Sequence, residues 1–297
     1  MSGQRHTLSS MSSKASLSPS RAGDFMTCPL LYRFRVIDRL PEPPSQPATR
    51  GTVVHSVLEQ LFDLPAASRT LSVASGLVGP AWTQLLAADE QLAELFADDE
   101  SGELAATWLS GTEDLLATYF ELEDPTRLEP AEREYAVEVE LSSGLTLRGY
   151  IDRLDVNAAG QMRVVDYKTG KSPHEAFQQR ALFQMRFYAL ALWRLRGEVP
   201  RLLQLVYLGR GGEIVGYEPD ETDLLAMERK LGALWAAISR AYEGEDWRPN
   251  KTRLCDFCHH KPICPAWGGT PPPLPVAPDP ASSDDDRPAA SASPVDI

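Results

Sequence analysis

The clearest pattern of hydrophobic and polar positions lies between residues 132 and 168. Apolar and polar residues alternate over 132–141, which predicts a strand with one buried face. Turn sequences rich in serine, asparagine and glycine separate this stretch from two further apolar-rich segments, 145–156 and 162–167. Three strands joined by such short turns are expected to pair as an antiparallel meander.

Apolar residues at helical spacing predict helices on both sides of the meander. The predicted helices cover 18–40, 51–64, 174–196 and 221–242. A proline-rich break is expected at 41–47, and an apolar strand at 202–208 leads into a hairpin turn at 209–212. This order of elements predicts an α/β fold in which helices flank a mixed β-sheet core.

Composition divides the 297-residue chain into a folded centre and two polar ends. The serine-rich arm at 1–17 and the acidic Pro/Ala/Ser tail at 268–297 are expected to be disordered, which leaves one folded domain at 18–267. An acidic, Ala/Leu-rich segment at 65–130 is expected to form a helical insertion. The net charge is −13, but residues 89–140 alone carry −15, so this overall charge does not exclude DNA as a partner.

We expect neither a membrane span nor a secretory signal, because long apolar runs are missing from the sequence and from its N-terminus. Gly170-Lys171 lacks the glycine that a P-loop carries five residues earlier, so no ATP site is expected. A cytoplasmic location is expected, and the four cysteines should then be reduced rather than joined in disulfides.

Two carboxylates and a lysine are expected to share one face of the sheet. Asp166 and Lys168 stand two apart on a predicted strand, where side chains alternate between faces, and Asp152 is the expected neighbour on the adjacent strand. Hard cations such as Mg²⁺ prefer oxygen ligands, and a lysine offsets charge that develops on a phosphate. The arrangement indicates metal-dependent hydrolysis of phosphodiester bonds.

Each of these signals has an ordinary structural alternative. A surface hairpin with an Asp166–Lys168 ion pair explains the short Asp-x-Lys pattern equally well. His55 lies on an apolar helix, where a core histidine is more common than a ligand, although Gly51 before it indicates close backbone approach. Gln184 and Tyr188 lie one turn apart, as residues do on any amphipathic helix.

The cysteines are one upstream residue and a C-terminal cluster: Cys28, then Cys255, Cys258 and Cys264. A Cys-x-x-Cys pair followed by a third cysteine is typical of metal ligands, because thiolates on one tight turn converge on a soft metal. Zinc and an iron–sulfur cluster both fit, and His259 and His260 are further candidate zinc ligands. Inert buried thiols are the alternative.

Taken together, these motifs resemble the RecB-like nucleases of the PD-(D/E)xK superfamily, a branch that includes the CRISPR-associated RecB-like exonucleases. The resemblance covers most of the folded chain, and its specificity lies in the order of the motifs. They are Ser18-Pro19-Ser20 with Cys28-Pro29-Leu30-Leu31-Tyr32, Gly51-Thr52-Val53-Val54-His55, Gly149-Tyr150-Ile151-Asp152-Arg153, Asp166-Tyr167-Lys168-Thr169-Gly170, Gln184-Met185-Arg186-Phe187-Tyr188 and the cysteine cluster.

The resemblance implies a restriction-endonuclease-like fold and a role for each motif. The implied ligands of Mg²⁺ or Mn²⁺ are His55, Asp152, Asp166 and the main-chain carbonyl of Tyr167. The implied catalytic residues are Asp152, Asp166 and Lys168. The residues implied to position the DNA strand are Gln184 and Tyr188.

One subset of these nucleases carries a structural 4Fe–4S cluster, and its ligands match the four cysteines of this chain: Cys28, Cys255, Cys258 and Cys264. On that ground alone an iron–sulfur cluster is expected rather than zinc. The segment 251–267 would then close on Cys28.

The resemblance implies an Mg²⁺- or Mn²⁺-dependent deoxyribonuclease, an exonuclease acting on single strands or DNA ends in repair or recombination. Its expected partners are DNA and, because the chain has no motor motifs, a helicase or another repair protein. Two alternatives stay open from the sequence: a non-catalytic DNA-binding subunit of a repair complex, and a nuclease of CRISPR adaptation.

Overall fold

The computed structural model describes residues 15–172 and 175–275, which form two compact units. The first unit contains 15–42, 138–148 and 226–275, and the second contains 43–137, 149–172 and 175–225. Most of the predicted arm and tail lies outside the described residues, as does His174, the first residue of a predicted helix.

The described helices are α1 (Pro19–Thr27), α2 (Pro29–Tyr32), α3 (Gln46–Asp63), α4 (Leu71–Ala88), α5 (Glu103–Leu122), α6 (Glu175–Arg196) and α7 (Glu221–Glu243). The described strands are β1 (Ser16–Leu17), β2 (Glu132–Glu140), β3 (Thr146–Val156), β4 (Met162–Lys168), β5 (Leu202–Tyr207) and β6 (Glu213–Tyr217). The predicted strands of the meander and the strand after α6 are therefore present within two residues of their expected ends.

The helix predicted at 18–40 is interrupted at Cys28. The residue before a proline is driven out of the helical region, and Cys28, which precedes Pro29, is extended with φ −163° and ψ 117°. Pro29 then begins α2, where its missing N–H removes no intrahelical hydrogen bond. The break places a cysteine at the junction of two helices.

The predicted start of the second helix, at Gly51, is wrong by five residues, because α3 already begins at Gln46. Pro47 belongs to the predicted proline-rich break, but it lies in the first turn of α3, where a proline is compatible with helical geometry. At the N-terminus, Ser16 and Leu17 of the predicted arm pair in parallel with Thr146 and Leu147 in the first unit.

The sheet of the second unit is mixed. Residues Arg153–Val156 of β3 run antiparallel to Met162–Val165 of β4, β4 runs parallel to β5, and β5 runs antiparallel to β6. β2 also pairs with β3. Parallel neighbours need a long crossover, and α6 provides it between β4 and β5. The predicted α/β class with a mixed sheet flanked by helices is confirmed.

The core of the second unit holds α3 against the sheet. Helix α3 buries one apolar face against α4, α5 and the strands β4 and β5, as its period of 3.6 residues allows. The buried residues of this core include Val53, Val54, Val57, Leu58, Leu61, Phe62, Ala74, Val78, Leu116, Tyr119, Val165 and Val206. Because α3 is fixed along its length, the side chains on its remaining face have defined positions.

Among the described helices, α4 alone passes a test of length and apolar composition for crossing a membrane. This is weak evidence, because core helices of soluble proteins pass the same test. Ala74, Val78 and Ala81 of α4 are buried in the core of the second unit.

Candidate active site

The candidate site lies in the second unit, where β3 and β4 separate. The last recorded pair of these strands is Arg153 with Val165, so Asp152 and Asp166 follow on opposite strands just beyond it. The main-chain N–H of Tyr167 donates a hydrogen bond of 2.8 Å to Oδ2 of Asp152. The Asp152 carboxylate thus bridges the two strands where their pairing ends.

Asp166 and Lys168 share one face of β4, as the alternation of side chains predicts. Nζ of Lys168 lies 2.7 Å from Oδ2 of Asp166, and the two side chains are 13% and 2% exposed. Gln184 of α6 donates to Oδ1 of Asp166 at 2.9 Å, and its amide oxygen accepts a hydrogen bond of 3.1 Å from Lys168. Tyr188, one turn further along α6, lies 3.4 Å from the Gln184 amide nitrogen. The structure therefore brings Gln184 to the lysine and its carboxylate, and Tyr188 to Gln184.

His55 of α3 faces the same strand ends. Its Nε2 lies 3.0 Å from the carbonyl oxygen of Tyr167, and its Nδ1 lies 3.6 Å from Oδ2 of Asp152. The imidazole, a carboxylate and a main-chain carbonyl are thus within a few ångströms of each other. His55 is not a buried core histidine, because its side chain keeps 22% exposure.

Glu134 is a third acidic residue of the site, and the motifs in the sequence do not identify it. Its Oε1 lies 3.8 Å from Nδ1 of His55, and ligand atoms of His55, Glu134 and Asp152 all lie within 4.8 Å of one another. Strand alternation in 132–141 assigned Glu134 to a polar outer face, but its φ of +41° interrupts the alternation and turns the chain. Nothing in the sequence pattern marks a left-handed glutamate, so no signal for this residue was available.

The carboxylates of the site have raised pKa values. Burial raises the pKa of Asp166 to about 6, with a further increase from Asp152 and an opposing effect of Lys168. Burial also raises the pKa of Glu134 to about 7, Asp152 adds to this, and His55 opposes it. Ionised carboxylates this close repel one another, and a divalent cation among them would relieve that repulsion. The donor set of carboxylate, carbonyl and imidazole groups fits Mg²⁺ or Mn²⁺.

Close backbone packing after Lys168 depends on Gly209 rather than on Gly51. A Cβ at Gly51 would meet Oγ1 of Thr169 at 3.6 Å, which is an ordinary contact. A Cβ at Gly209 would instead lie 2.6 Å from the carbonyl carbon and 2.7 Å from the carbonyl oxygen of Gly170. The N–H of Gly209 donates to that carbonyl oxygen at 3.0 Å. Gly209 therefore lets β5 hold the loop that follows the lysine.

We expect Gly209→Ala to lower both stability and activity, because the methyl group meets rigid backbone. Overpacking of this kind costs about 1–3 kcal/mol, and displacement of the Lys168 loop should slow catalysis by about tenfold or more. Thermal unfolding and any nuclease rate measured under identical conditions test this. Gly79→Ala is the control, because a Cβ at this α4 position meets nothing within 4 Å and alanine favours helices. Equal behaviour of the two variants would contradict the expectation.

The four cysteines lie in the first unit and line one cavity of about 60 Å³. Leu30, Leu31, Phe34 and Trp267 make its walls largely apolar. The main-chain N–H of Asn250 donates to Sγ of Cys28 at 3.3 Å, and that of Thr252 donates to Sγ of Cys255 at 3.4 Å. Four thiols on one cavity, apolar walls and N–H···S hydrogen bonds fit a metal–sulfur group.

His260 does not face the cysteine cavity as a further ligand. Its Nε2 lies 2.7 Å from Oε1 of Glu42, and its ring packs on Phe34 with 5.1 Å between centroids. Glu42 also pairs with Arg35 at 2.7 Å, and Arg35 pairs with Asp24. The hydrogen bond to Glu42 occupies one ring nitrogen of His260, which leaves the cysteines as the main candidate ligands.

Comparisons with known proteins agree with this geometry. The family model of the PD-(D/E)XK nuclease superfamily matches residues 16–265. The Gene 69 protein of Mycobacterium phage D29 is 25% identical over 278 residues, which cover 83% of this chain and 96% of that protein. The solved structure of a candidate exonuclease from Eubacterium rectale matches with a TM-score of 0.53 and 15% identity, over 87% of this chain and 94% of that chain. At this identity the likeness to the solved structure shows the fold alone.

Proposed function

This chain belongs to the PD-(D/E)XK nuclease superfamily, and we propose that it is a deoxyribonuclease that hydrolyses phosphodiester bonds with Mg²⁺ or Mn²⁺. The observation that carries the proposal is the meeting of Asp152, Asp166 and Lys168 with His55 where β3 and β4 separate. The fold alone would also suit a protein that only binds DNA. A carboxylate site with a lysine 2.7 Å from one of its members favours catalysis.

The proposed ligands of the cation are His55, Asp152, Asp166 and the carbonyl of Tyr167, to which the structure adds Glu134. When bound there, a divalent cation polarises a phosphate oxygen and lowers the pKa of a bound water. The protein contributes the fixed arrangement of the donors. The hydrogen bond from the Tyr167 N–H sets the orientation of the Asp152 carboxylate.

Lys168 is the proposed catalytic lysine. Its ammonium group is held by Asp166 at 2.7 Å and by the amide oxygen of Gln184 at 3.1 Å. From this position it can orient the attacking water and offset negative charge that develops on the phosphate in the transition state. Gln184 contacts both partners of the ion pair, so its proposed role is to keep the lysine and the carboxylate in register.

We also propose the finer assignments that the sequence resemblance implies. The chain would belong to the RecB-like branch and act as an exonuclease on single strands or DNA ends. It would work in repair or recombination in the cytoplasm, with a helicase as candidate partner. Its cofactor would be a 4Fe–4S cluster on Cys28, Cys255, Cys258 and Cys264. The support for the cluster is the cavity that the four thiols share. The proposed domain is 18–267, with the acidic insertion at 65–130.

Cleavage assays on defined DNA test the proposal. We expect anaerobically purified protein to degrade linear DNA in Mg²⁺ or Mn²⁺, to lose this activity with a chelator, and to leave covalently closed circles intact. Cleavage of closed circles would replace the exonuclease by an endonuclease. Metal-stimulated binding to DNA without cleavage would favour a non-catalytic DNA-binding subunit, and protein that neither binds nor cuts DNA would overturn the proposal.

The raised pKa values predict that the metal-free protein becomes less stable as the pH rises. Asp166 takes up its proton at about pH 6 in the folded state, against an ordinary value of 3.8. Between these values the unfolded chain has lost a proton that the folded protein keeps, so the free energy of unfolding falls as the pH increases. Glu134 extends this loss to about pH 7.

Mn²⁺ should therefore stabilise the protein more at about pH 8 than at about pH 5.5, where protons compete for the same carboxylates. Scanning calorimetry with and without MnCl₂ at the two pH values measures the difference. Glu134→Gln should reduce it, because one of the titrating groups is gone. An equal rise in Tm at both pH values would contradict the expectation.

A further inference from the structure

A buried ion network lies behind the candidate site, on the other face of the sheet. Side chains alternate along a strand, so Arg153 and Tyr167 point away from the face that carries Asp152, Asp166 and Lys168. Arg153 is 0% exposed and has the largest fully buried side chain in the described part of the chain. A guanidinium in such a place needs partners that compensate for its lost hydration.

Arg153 has three polar partners. Its two terminal nitrogens donate to the two carboxylate oxygens of Glu123 at 2.7 and 2.9 Å, a bidentate pair. One of them also donates to the hydroxyl oxygen of Tyr167 at 2.6 Å, and Nε lies 3.2 Å from Asp155. The guanidinium is stacked over the ring of Phe62 at 5.5 Å. These contacts leave the group little freedom to move.

Glu123 is the residue that follows α5, the last helix of the acidic insertion. Its side chain is 7% exposed, and Gln204 of β5 donates to its Oε1 at 3.0 Å. Burial raises the pKa of this carboxyl, but its pairing with Arg153 lowers it by more, so Glu123 is ionised. The insertion thus supplies the counter-charge of a residue that adjoins Asp152 in sequence.

Tyr167 links this network to the site. Its side chain is held by Arg153, while its main-chain N–H donates to Asp152 and its carbonyl oxygen lies 3.0 Å from a ring nitrogen of His55. A shift of the Tyr167 ring would move both main-chain groups. We propose that Arg153 and Glu123 are positioning residues that hold the main chain of Tyr167 in the geometry that the metal centre requires.

This inference rests on the proposed function, because it assigns the network to the same metal centre. Contacts behind metal ligands commonly account for 10–100-fold in metal affinity. It also gives the helical insertion a defined task, since α5 ends where Glu123 must meet Arg153. Glu123 cannot be recognised from the spacing of motifs, because it lies 30 residues before Arg153 in the sequence.

Two variants separate positioning from general stability. Tyr167→Phe removes only the hydroxyl that Arg153 holds and keeps the main chain. The double variant Arg153→Met/Glu123→Leu replaces the ion pair with apolar side chains, an exchange that buried ion pairs often tolerate without loss of stability. Asp155 keeps its pair with Arg163 at 2.8 Å in that variant. We expect both variants to bind Mn²⁺ about tenfold more weakly or worse.

The control is Leu116→Ala on α5. Leu116 is 0% exposed and its apolar side chain makes none of the polar contacts of the network, so this change should lower Tm but leave Mn²⁺ affinity within about twofold. The Kd for Mn²⁺ is measured by electron paramagnetic resonance of the free ion, with Tm of each variant measured in the same buffer. These readouts need neither DNA nor cleavage.

The outcomes are distinct. Weaker Mn²⁺ binding by Tyr167→Phe and the double variant, out of proportion to their Tm, supports the inference. The network is merely structural if Mn²⁺ affinity is unchanged in both variants, or if it falls in step with Tm in all three variants. Either result overturns the inference but leaves the proposed metal centre in place. A native protein that binds no Mn²⁺ overturns the proposed metal centre and the inference with it.

Discussion

Replacing Lys168 with alanine should reduce the rate of DNA cleavage by at least about a hundredfold, while the protein stays folded and still binds DNA. Loss of one group that stabilises transition-state charge typically costs 10²–10³-fold in rate. Lys168 is 13% exposed and its ammonium is held by Asp166 and Gln184, so its positive charge has a fixed place in the site. The effect should fall on the rate at saturating DNA rather than on binding.

The measurement is a single-turnover cleavage rate with DNA affinity determined separately in Ca²⁺. Lys168 also lowers the pKa of Asp166, so the variant should be assayed at about pH 8.5 as well, where the higher pH favours ionisation of Asp166. Lys171→Ala is the matched control, because Lys171 is exposed and three residues further along the same loop. A Lys168→Ala rate near that of the control would remove the lysine from the proposed mechanism.

Local periodicity in the sequence predicted where some of the candidate residues lie relative to one another. Alternation along 162–167 placed Asp166 and Lys168 on one face, and short turns set the β3–β4 register that brings Asp152 to Asp166. His55 followed from a motif rather than from periodicity, since an apolar helix alone favours a core histidine. The ring of His55 lies beside Tyr167 because α3 packs along the sheet.

What the sequence could not predict depends on tertiary context. Glu134 enters the site through a left-handed backbone, and a strand pattern assigns it to the opposite face. From the sequence, Arg153 is expected to be an ordinary exposed charge next to Asp152. In the structure its side chain is completely buried, because Glu123, 30 residues away, neutralises its charge. Both cases follow the same rule: burial of a charge is decided by partners that are near in space and remote in sequence.

The acidic segment illustrates the same rule at the level of a whole region. Residues 89–140 carry most of the net negative charge, which composition alone treats as solvated surface. Two of its acidic residues, Glu123 and Glu134, instead have buried or half-buried side chains directed to Arg153 and His55. The charge of the region is therefore partly structural.

Replacing Cys258 with alanine should remove the proposed cluster and destabilise the protein strongly. The four thiols line one cavity, and 226 residues lie between Cys28 and Cys255, so a group bound to all four closes a long loop. Ligands that bind only the folded state add their binding free energy to its stability, and closure of a long loop lowers the entropy of the unfolded chain. We expect a loss of about 3 kcal/mol or more, together with loss of soluble yield.

Absorbance, iron, sulfide and zinc analysis of anaerobically purified native protein and variant test this expectation. Native protein should show a band at about 400 nm and about four irons per chain, and both should be lost in Cys258→Ala. His259→Ala is the control, because this exposed histidine is the next residue and is not a ligand of the proposed iron–sulfur cluster. Zinc without sulfide in the native protein would replace the cluster by a zinc site. A Cys258→Ala protein as stable as the native one would show that the thiols do not tie Cys28 to the C-terminal segment. This conclusion would hold for either metal, because a bound group that closes the loop must stabilise the folded protein.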